Sequence, residues 1–154
     1  MQLVRIANTA VIDQINGEGA RICGGRWNKV GDAVVYLAED ISIAILETVV
    51  HANPRRRVDR SLLVLSLPDD SSIETLVDLP DGWEGYPYID ETAEIGSRWI
   101  NECRTLLLKV PSATTAGVSQ DMWKYNVLMN PKHPEFANVK IERVERWRPD
   151  SRLL

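Results

Sequence analysis

The reading of the fold turns on Gly17-Glu18-Gly19-Ala20-Arg21-Ile22-Cys23-Gly24-Gly25-Arg26-Trp27-Asn28, the run Ala33-Val34-Val35-Tyr36-Leu37-Ala38, and the segment from Ile41 to His51. The glycines of the first part mark tight backbone bends and predict a loop-like region. Residues 33–38 are apolar and rich in β-branched side chains. Gly31-Asp32 and Glu39-Asp40 bound them, which suits a buried strand. Ile41, Ala44, Ile45, Thr48 and Val49 then recur at helical spacing. Asp40 or Ser42 can cap that helix and Asn53-Pro54 can stop it, so it is expected over residues 42–52, with Glu47 and His51 one turn apart.

Working outward, residues 2–7 read as a first strand, with Leu3 and Ile6 apolar around Arg5. Arg55-Arg56-Arg57 reads as a basic turn, and residues 61–67 as another apolar strand. Residues 73–79 are less regular and suit a short strand. The three breakers among aromatics in residues 80–88 imply an ordered surface loop. Residues 90–102 have helical period, with Ala93, Ile95, Trp99 and Ile100 as apolar contacts. Residues 105–110 are strand-like, 112–120 are loop, and 125–129 lead into the non-helical Asn130-Pro131-Lys132-His133-Pro134. Residues 139–147 alternate well enough for a final strand if a bulge or slip precedes Val144. The sum is one mixed α+β domain over residues 1–154.

Composition agrees with that and narrows the function. A chain of 154 residues, 44% hydrophobic, can bury a proper core without staples. Its formal net charge of −4 argues against direct nucleic-acid or anionic-membrane binding. Cys23 and Cys103 stand far apart without metal-ligand spacing, so no zinc or disulfide signature is present. The amino terminus has no signal-peptide pattern, and no apolar run approaches the ~20 residues of a membrane span. A soluble cytoplasmic protein is the expectation.

The chemistry-bearing residues each have two readings. Gly24-Gly25-Arg26 lets backbone approach a ligand while the guanidinium forks onto phosphate oxygens; its simpler reading is a β-bulge with a surface arginine. The glycine spacing fits neither a Walker loop nor a Rossmann fingerprint. Arg5 either faces solvent from an alternating strand or presents a second guanidinium to the same anion. Tyr36 is either a core aromatic with a satisfied hydroxyl or a stacking platform for a flat ring. Glu47 interrupts an almost wholly apolar helix: it either lies on an exposed stripe, which helical spacing permits, or is a secluded carboxylate, costly to bury unless paired or put to use. Ser112 follows a strand-terminal proline, a place for a site residue and equally for a turn. His51 reads as a helix-end histidine at the C-terminal dipole, and no serine-hydrolase order stands out.

Together these residues resemble a known family, the RES domain, the toxin half of bacterial toxin–antitoxin pairs. The resemblance runs through Arg5-Ile6, Gly17-Glu18-Gly19-Ala20-Arg21, Gly24-Gly25-Arg26-Trp27-Asn28 and Val35-Tyr36-Leu37-Ala38. It continues through Ala44, Leu46-Glu47, Val110-Pro111-Ser112, Asn130-Pro131 with His133-Pro134, and Asp150-Ser151-Arg152-Leu153. It implies an ADP-ribosyltransferase-like fold, a mixed split β-sheet core with flanking helices. It implies NAD⁺ as substrate rather than resident cofactor, with inorganic phosphate as co-substrate: an NAD⁺ phosphorylase that arrests growth by depleting NAD⁺. Transfer of ADP-ribose to a protein, or a non-catalytic binding module, are the alternatives. The implied partner is an Xre-type helix-turn-helix antitoxin, with a toxin homodimer inside a larger complex.

The resemblance assigns function to Arg5, Arg26, Tyr36, Glu47 and Ser112, with Asn130 as a further addition. The arginines are expected to neutralise pyrophosphate or hold phosphate. Tyr36 is expected to stack on nicotinamide, and Glu47 to favour the positive charge that develops as nicotinamide leaves. Ser112 is expected to hydrogen-bond the nicotinamide amide or a ribose hydroxyl. Between Ser112 and Asn130, residues 113–124 depart from the family's pattern, which bears on the acceptor if that loop borders the cleft.

Overall fold

The structure, a computed structural model, describes residues 1–53 and 58–154; Pro54 and the basic turn expected at Arg55-Arg56-Arg57 lie outside them. Seven strands form one mixed sheet: β1 Gln2–Asn8, β2 Val35–Ala38, β3 Arg60–Ser66, β4 Ile73–Thr75, β5 Leu107–Pro111, β6 Tyr125–Met129 and β7 Lys140–Arg146. Their spatial order is β4-β5-β6-β2-β1-β3-β7. Only β4 and β5 run parallel; every other neighbouring pair is antiparallel.

The alternation along the central strands shows why a run such as 33–38 reads as unbroken apolar sequence, and the same rule holds on β6, which the sequence did not declare a strand. On β6, Val127 and Met129 enter one core with Leu3, Leu37, Leu63 and Leu107, while Leu128 enters another with Trp27, Trp99, Leu108 and Val110. Both faces of the sheet are covered, so both sets of side chains must be apolar. At the free edge β7 is exposed along its length, and the expected slip is a bulge, where Leu65 pairs with Ile141 and Val64 with Arg143.

The sheet is nearly split. β1 pairs with β3 over its whole length, from Gln2 with Ser66 to Asn8 with Arg60. β2 pairs with β6 over four residues. Between β1 and β2 the only registered pair is Val4 with Ala38. That seam is the split expected of the core, and helix α2 (Ile41–Val50) lies against it, packing Ile43 and Ala44 onto Ala38, Val4 and Ile6. Asp40 caps α2, accepting hydrogen bonds from the N–H groups of Ser42 and Ile43 at 2.8 and 3.1 Å.

Three local expectations need correcting. Residues 18–23 are a short helix, α1 (Glu18–Cys23), between Gly17 and Gly24, both at positive φ. Six residues with a central glycine carry too little periodicity to declare a helix; the Asn16 side chain and the Arg21–Glu18 ion pair hold it instead. The expected strand at 73–79 shrinks to the three residues of β4. Helix α3 (Asp90–Glu102) has the expected bounds, but its buried face is Thr92, Gly96, Ser97, Trp99 and Ile100. Ala93 and Ile95 are only half-buried.

Candidate active site

A cleft of about 1060 Å³ opens along the seam, at the upper end of the roughly 300–1,000 Å³ of small-molecule sites. It is lined by β1 around Arg5, the Gly24–Trp27 turn, Tyr36, the α2 face bearing Glu47 and His51, Arg60, and Tyr86 and Tyr88 of the 80–88 loop. The seam brings Arg5, Arg26, Tyr36 and Glu47 into one space from four elements distant in sequence.

Glu47 is the best-held group in it. Its side chain is 26% exposed, neither solvated nor sealed, whereas Leu46 and Val50, at the rim of the same cleft, are exposed. Oε1 accepts from Ser112 Oγ and from Asn126 Nδ2, both at 2.7 Å. Oε2 lies 3.5 Å from His51 Nε2. Burial is the largest single influence and opposes ionisation, but the hydrogen bonds from His51, Asn126 and Ser112 together outweigh it. The carboxylate is held below its ordinary range and stays ionised at neutral pH. His51 is shifted upward, chiefly by its hydrogen bond to Glu47. It caps α2 as expected, its N–H reaching the Glu47 carbonyl, and its ring adds the contact to the carboxylate that the dipole reading left out.

Ser112 stands behind the carboxylate rather than in the cleft wall. It is fully buried, caps the short 3-10 turn Ala113–Thr115, and its Oγ lies 2.6 Å from Thr114 Oγ1. An ionised carboxylate only accepts, so the Ser112 hydroxyl donates to Glu47 and accepts a hydrogen bond from the Thr114 hydroxyl. Thr114 and Ala113 line the cleft, so the divergent 113–124 loop does border it.

Arg26 is half-buried and partly committed to the fold. Its Nη1 donates to the carbonyls of Trp83 and, at 2.9 Å, Gly85, and its guanidinium lies 4.7 Å from the Tyr88 ring centre. One corner of the guanidinium thus anchors the 80–88 loop, which Trp83 ties down further by packing between Trp27 and Trp123. Arg5 donates to the Gln14 carbonyl at 3.4 Å, a weak hold. Burial lowers the pKa of both arginines, though neither leaves its charged state at physiological pH.

Tyr36 is an aromatic with a satisfied hydroxyl, as the simpler of its readings expects. It lines the cleft, and its hydroxyl donates to Asn28 Oδ1 at 2.9 Å while accepting the Trp27 N–H at 3.1 Å. Burial pushes its pKa well above the ordinary phenol value. A Cβ at Gly25 would stand 2.7 Å from this hydroxyl, so the second glycine of the pair is required for the tyrosine to reach the turn. Tyr36→Phe is expected to fold yet lose about 1–3 kcal/mol, because the Trp27 N–H loses its acceptor. Urea unfolding, with the slope unchanged, checks this.

Asn130 does not belong to the site. It is fully buried at the end of α3, its Nδ2 donating to the Ile100 carbonyl at 2.9 Å and its Oδ1 accepting the Lys132 N–H at 3.0 Å. Its amide ties the β6 exit to the end of α3 while its Oδ1 and backbone hold the turn to Lys132 and His133, so its motif shapes the scaffold. Asn126, Thr114 and Arg60 are among the cleft residues that the sequence did not disclose. Among the described residues there is no cluster suited to a metal ion, both cysteines are free, and no helix is long and apolar enough to cross a membrane.

Fold and site define a class: a mixed α+β domain whose nearly split sheet opens a cleft around an ionised, triply bonded glutamate and two arginines. The comparisons with known proteins make it specific. The model of the RES domain matches residues 2–151. The "Prs ADP-ribosylating toxin" of Sphingobium sp. (strain YBL2) is 37% identical over 153 residues, covering 96% of this chain and 91% of that one. "Toxin Res" of Pseudomonas putida is 37% identical over 142 residues, covering 90% and 92%. The chain belongs to the RES domain family, which includes these toxins. In fold it is also similar to the crystal structure of the M. tuberculosis MbcT–MbcA toxin–antitoxin complex, with a TM-score of 0.71 at 17% identity over 96% of this chain and 84% of that one.

Proposed function

We propose that this chain is the toxin of a toxin–antitoxin pair and cleaves the nicotinamide–ribose bond of NAD⁺, passing ADP-ribose to inorganic phosphate. The observation that carries this is Glu47: a carboxylate kept ionised by Ser112, Asn126 and His51 at the wall of a cleft that Arg5 and Arg26 also line. As nicotinamide leaves with the bonding electrons, the ribose carbon becomes positive, and a fixed negative charge lowers the energy of that state. A phosphate oxygen then closes on the same carbon. The arginines supply the positive field that a pyrophosphate and an incoming phosphate both need. Tyr36 offers an aromatic wall for the departing ring. No metal enters this chemistry, and NAD⁺ and phosphate are substrates, not residents.

A second reading, transfer of ADP-ribose to a protein, is favoured by one finding, the name of the Sphingobium relative. Under either reading the protein works in the cytoplasm, where NAD⁺ is at hand, and arrests growth. The restraining partner is a helix-turn-helix antitoxin bound to a toxin dimer, consistent with the toxin–antitoxin complex whose fold this chain shares. Mass analysis of NAD⁺ reactions run with and without phosphate separates the acceptors. A phosphorylated ADP-ribose that appears only with phosphate is the expected product. Nicotinamide release indifferent to phosphate, with ADP-ribose found on added protein, would move the assignment to the second reading.

A further inference from the structure

Two side chains from outside α2 take hold of Glu47, and the family resemblance accounts for only one of them, Ser112. The other is Asn126, second residue of β6, whose backbone is paired with Ala38 on β2 and with Val110 on β5. Clamped by a strand on each side, Asn126 has no freedom to drift along the sheet. Its Nδ2 lies 2.7 Å from Glu47 Oε1. Because that oxygen only accepts, the amide must turn its NH₂ toward it, and the amide orientation follows from the chemistry.

The consequence is an inequality between the two carboxylate oxygens. Oε1 carries two short hydrogen bonds from two different strand ends, Ser112 after β5 and Asn126 in β6. Oε2 has the longer contact with His51, whose side chain is 60% exposed. A single donor would leave the carboxylate free to pivot about one bond. A second donor on the same oxygen, from a rigid strand, removes that freedom before any ligand arrives.

We propose that Asn126 is the positioning residue for Glu47, tying Oε1 to the sheet so that Oε2 is the oxygen presented to the reacting centre. Its catalytic consequence rests on the proposed role of Glu47, but the hold of Asn126 on the carboxylate does not. The titratable groups that interact with Glu47 are His51 on α2, Arg26 in the glycine turn, Tyr36 on β2 and Tyr88 in the 80–88 loop, and Arg5, Arg60 and Glu84 line the same cleft. None of them lies on β6, so a change at Asn126 can be separated from changes at these groups.

The test uses the full chain with Asn126→Ala and the near-isosteric Asn126→Asp. Two quantities are measured: the titration of the Glu47 carboxyl carbon by ¹³C NMR, assigned by its disappearance in Glu47→Gln, and kcat and KM for NAD⁺ cleavage. Loss of a charge-assisted donor is expected to raise the midpoint in the alanine variant by about one to two pH units. The aspartate variant should raise it further, since two carboxylates would share the site. The expected kinetic result is a kcat lowered about tenfold to a hundredfold with KM little changed. A wild-type titration in both variants overturns the proposal, as does a shifted titration with wild-type kcat. Should Asn126→Ala not fold, Asn126→Asp carries both readouts by itself. Should the wild-type chain leave NAD⁺ intact, the functional reading fails while the titration still decides whether Asn126 holds Glu47.

Discussion

Glu47→Gln is expected to fold as the wild type does and to lose about 10²–10³-fold in kcat. The substitution isolates charge. Gln is the same size, its carbonyl oxygen can still accept from Ser112 and Asn126 as Glu47 Oε1 does, and its amide can sit beside His51. What disappears is the negative charge that the network keeps ionised against the cost of burial. Because that charge acts on a cation that exists only as the bond breaks, KM is expected to move far less than kcat. Circular dichroism and a thermal melt establish the fold, and single-turnover nicotinamide release supplies the rate. Full activity in a folded Glu47→Gln protein would remove Glu47 from the chemistry and leave Ser112 and Asn126 as scaffold.

Gly96→Ala is expected to have the largest effect on folding. Gly96 lies on the buried face of α3, and a Cβ there would come 1.8 Å from the Trp27 carbonyl oxygen and 2.7 Å from its carbon. Neither side can yield cheaply. Trp27 is 2% exposed and lies between Gly25 and Asn28, whose backbones form a bridge, and the following Lys29 N–H donates to Ser97 Oγ on the same helix face at 2.9 Å. The methyl must push α3 off the glycine turn, at a cost of about 3 kcal/mol or more, and the displaced turn carries Arg26 with it. Gly19→Ala is the control: it lies in α1 with nothing within 4 Å of the added carbon, and helix propensity favours alanine by about 0.5–1 kcal/mol. Paired urea titrations should give opposite signs for the two substitutions.

Gly96 also shows where the sequence stopped being legible. Period alone put α3 over the right residues, but it made Ala93 and Ile95 core contacts and passed over the glycine on which the helix seats. A residue with no side chain adds nothing to a hydrophobic pattern, and its importance lies in what approaches it. The strands were readable for the opposite reason. Residues 33–38 are apolar on both faces because the sheet is covered on both, and such a run announces itself, whereas β6, which opens on Tyr125 and Asn126, was not declared a strand. Helix α1 was hidden by its length and its glycine.

The site divides in the same way. Glu47 was visible because a carboxylate among Ile45, Leu46, Val49 and Val50 is out of place. Arg5, Arg26 and Tyr36 each kept a plain structural reading beside the functional one until the family resemblance chose between them, and they share its cleft. Asn126 gave no signal, since an asparagine at the start of a strand is ordinary until β2, β5 and β6 pair and bring it to Oε1. Ser112 was named for a contact with ligand, yet its hydroxyl is turned to Glu47 and Thr114. Asn130 was grouped with the site through a motif, yet its amide donates to Ile100 of α3 and its Oδ1 holds its own turn. Spacing along the chain indicates which residues are unusual; strand pairing decides what they face.

The most direct measurement is nicotinamide release from NAD⁺ by the purified, antitoxin-free chain, followed by chromatography beside an equal amount of Glu47→Gln. The account predicts stoichiometric loss of NAD⁺ and appearance of nicotinamide with the wild type, and little of either with the variant. A folded wild-type chain that leaves NAD⁺ intact would contradict it.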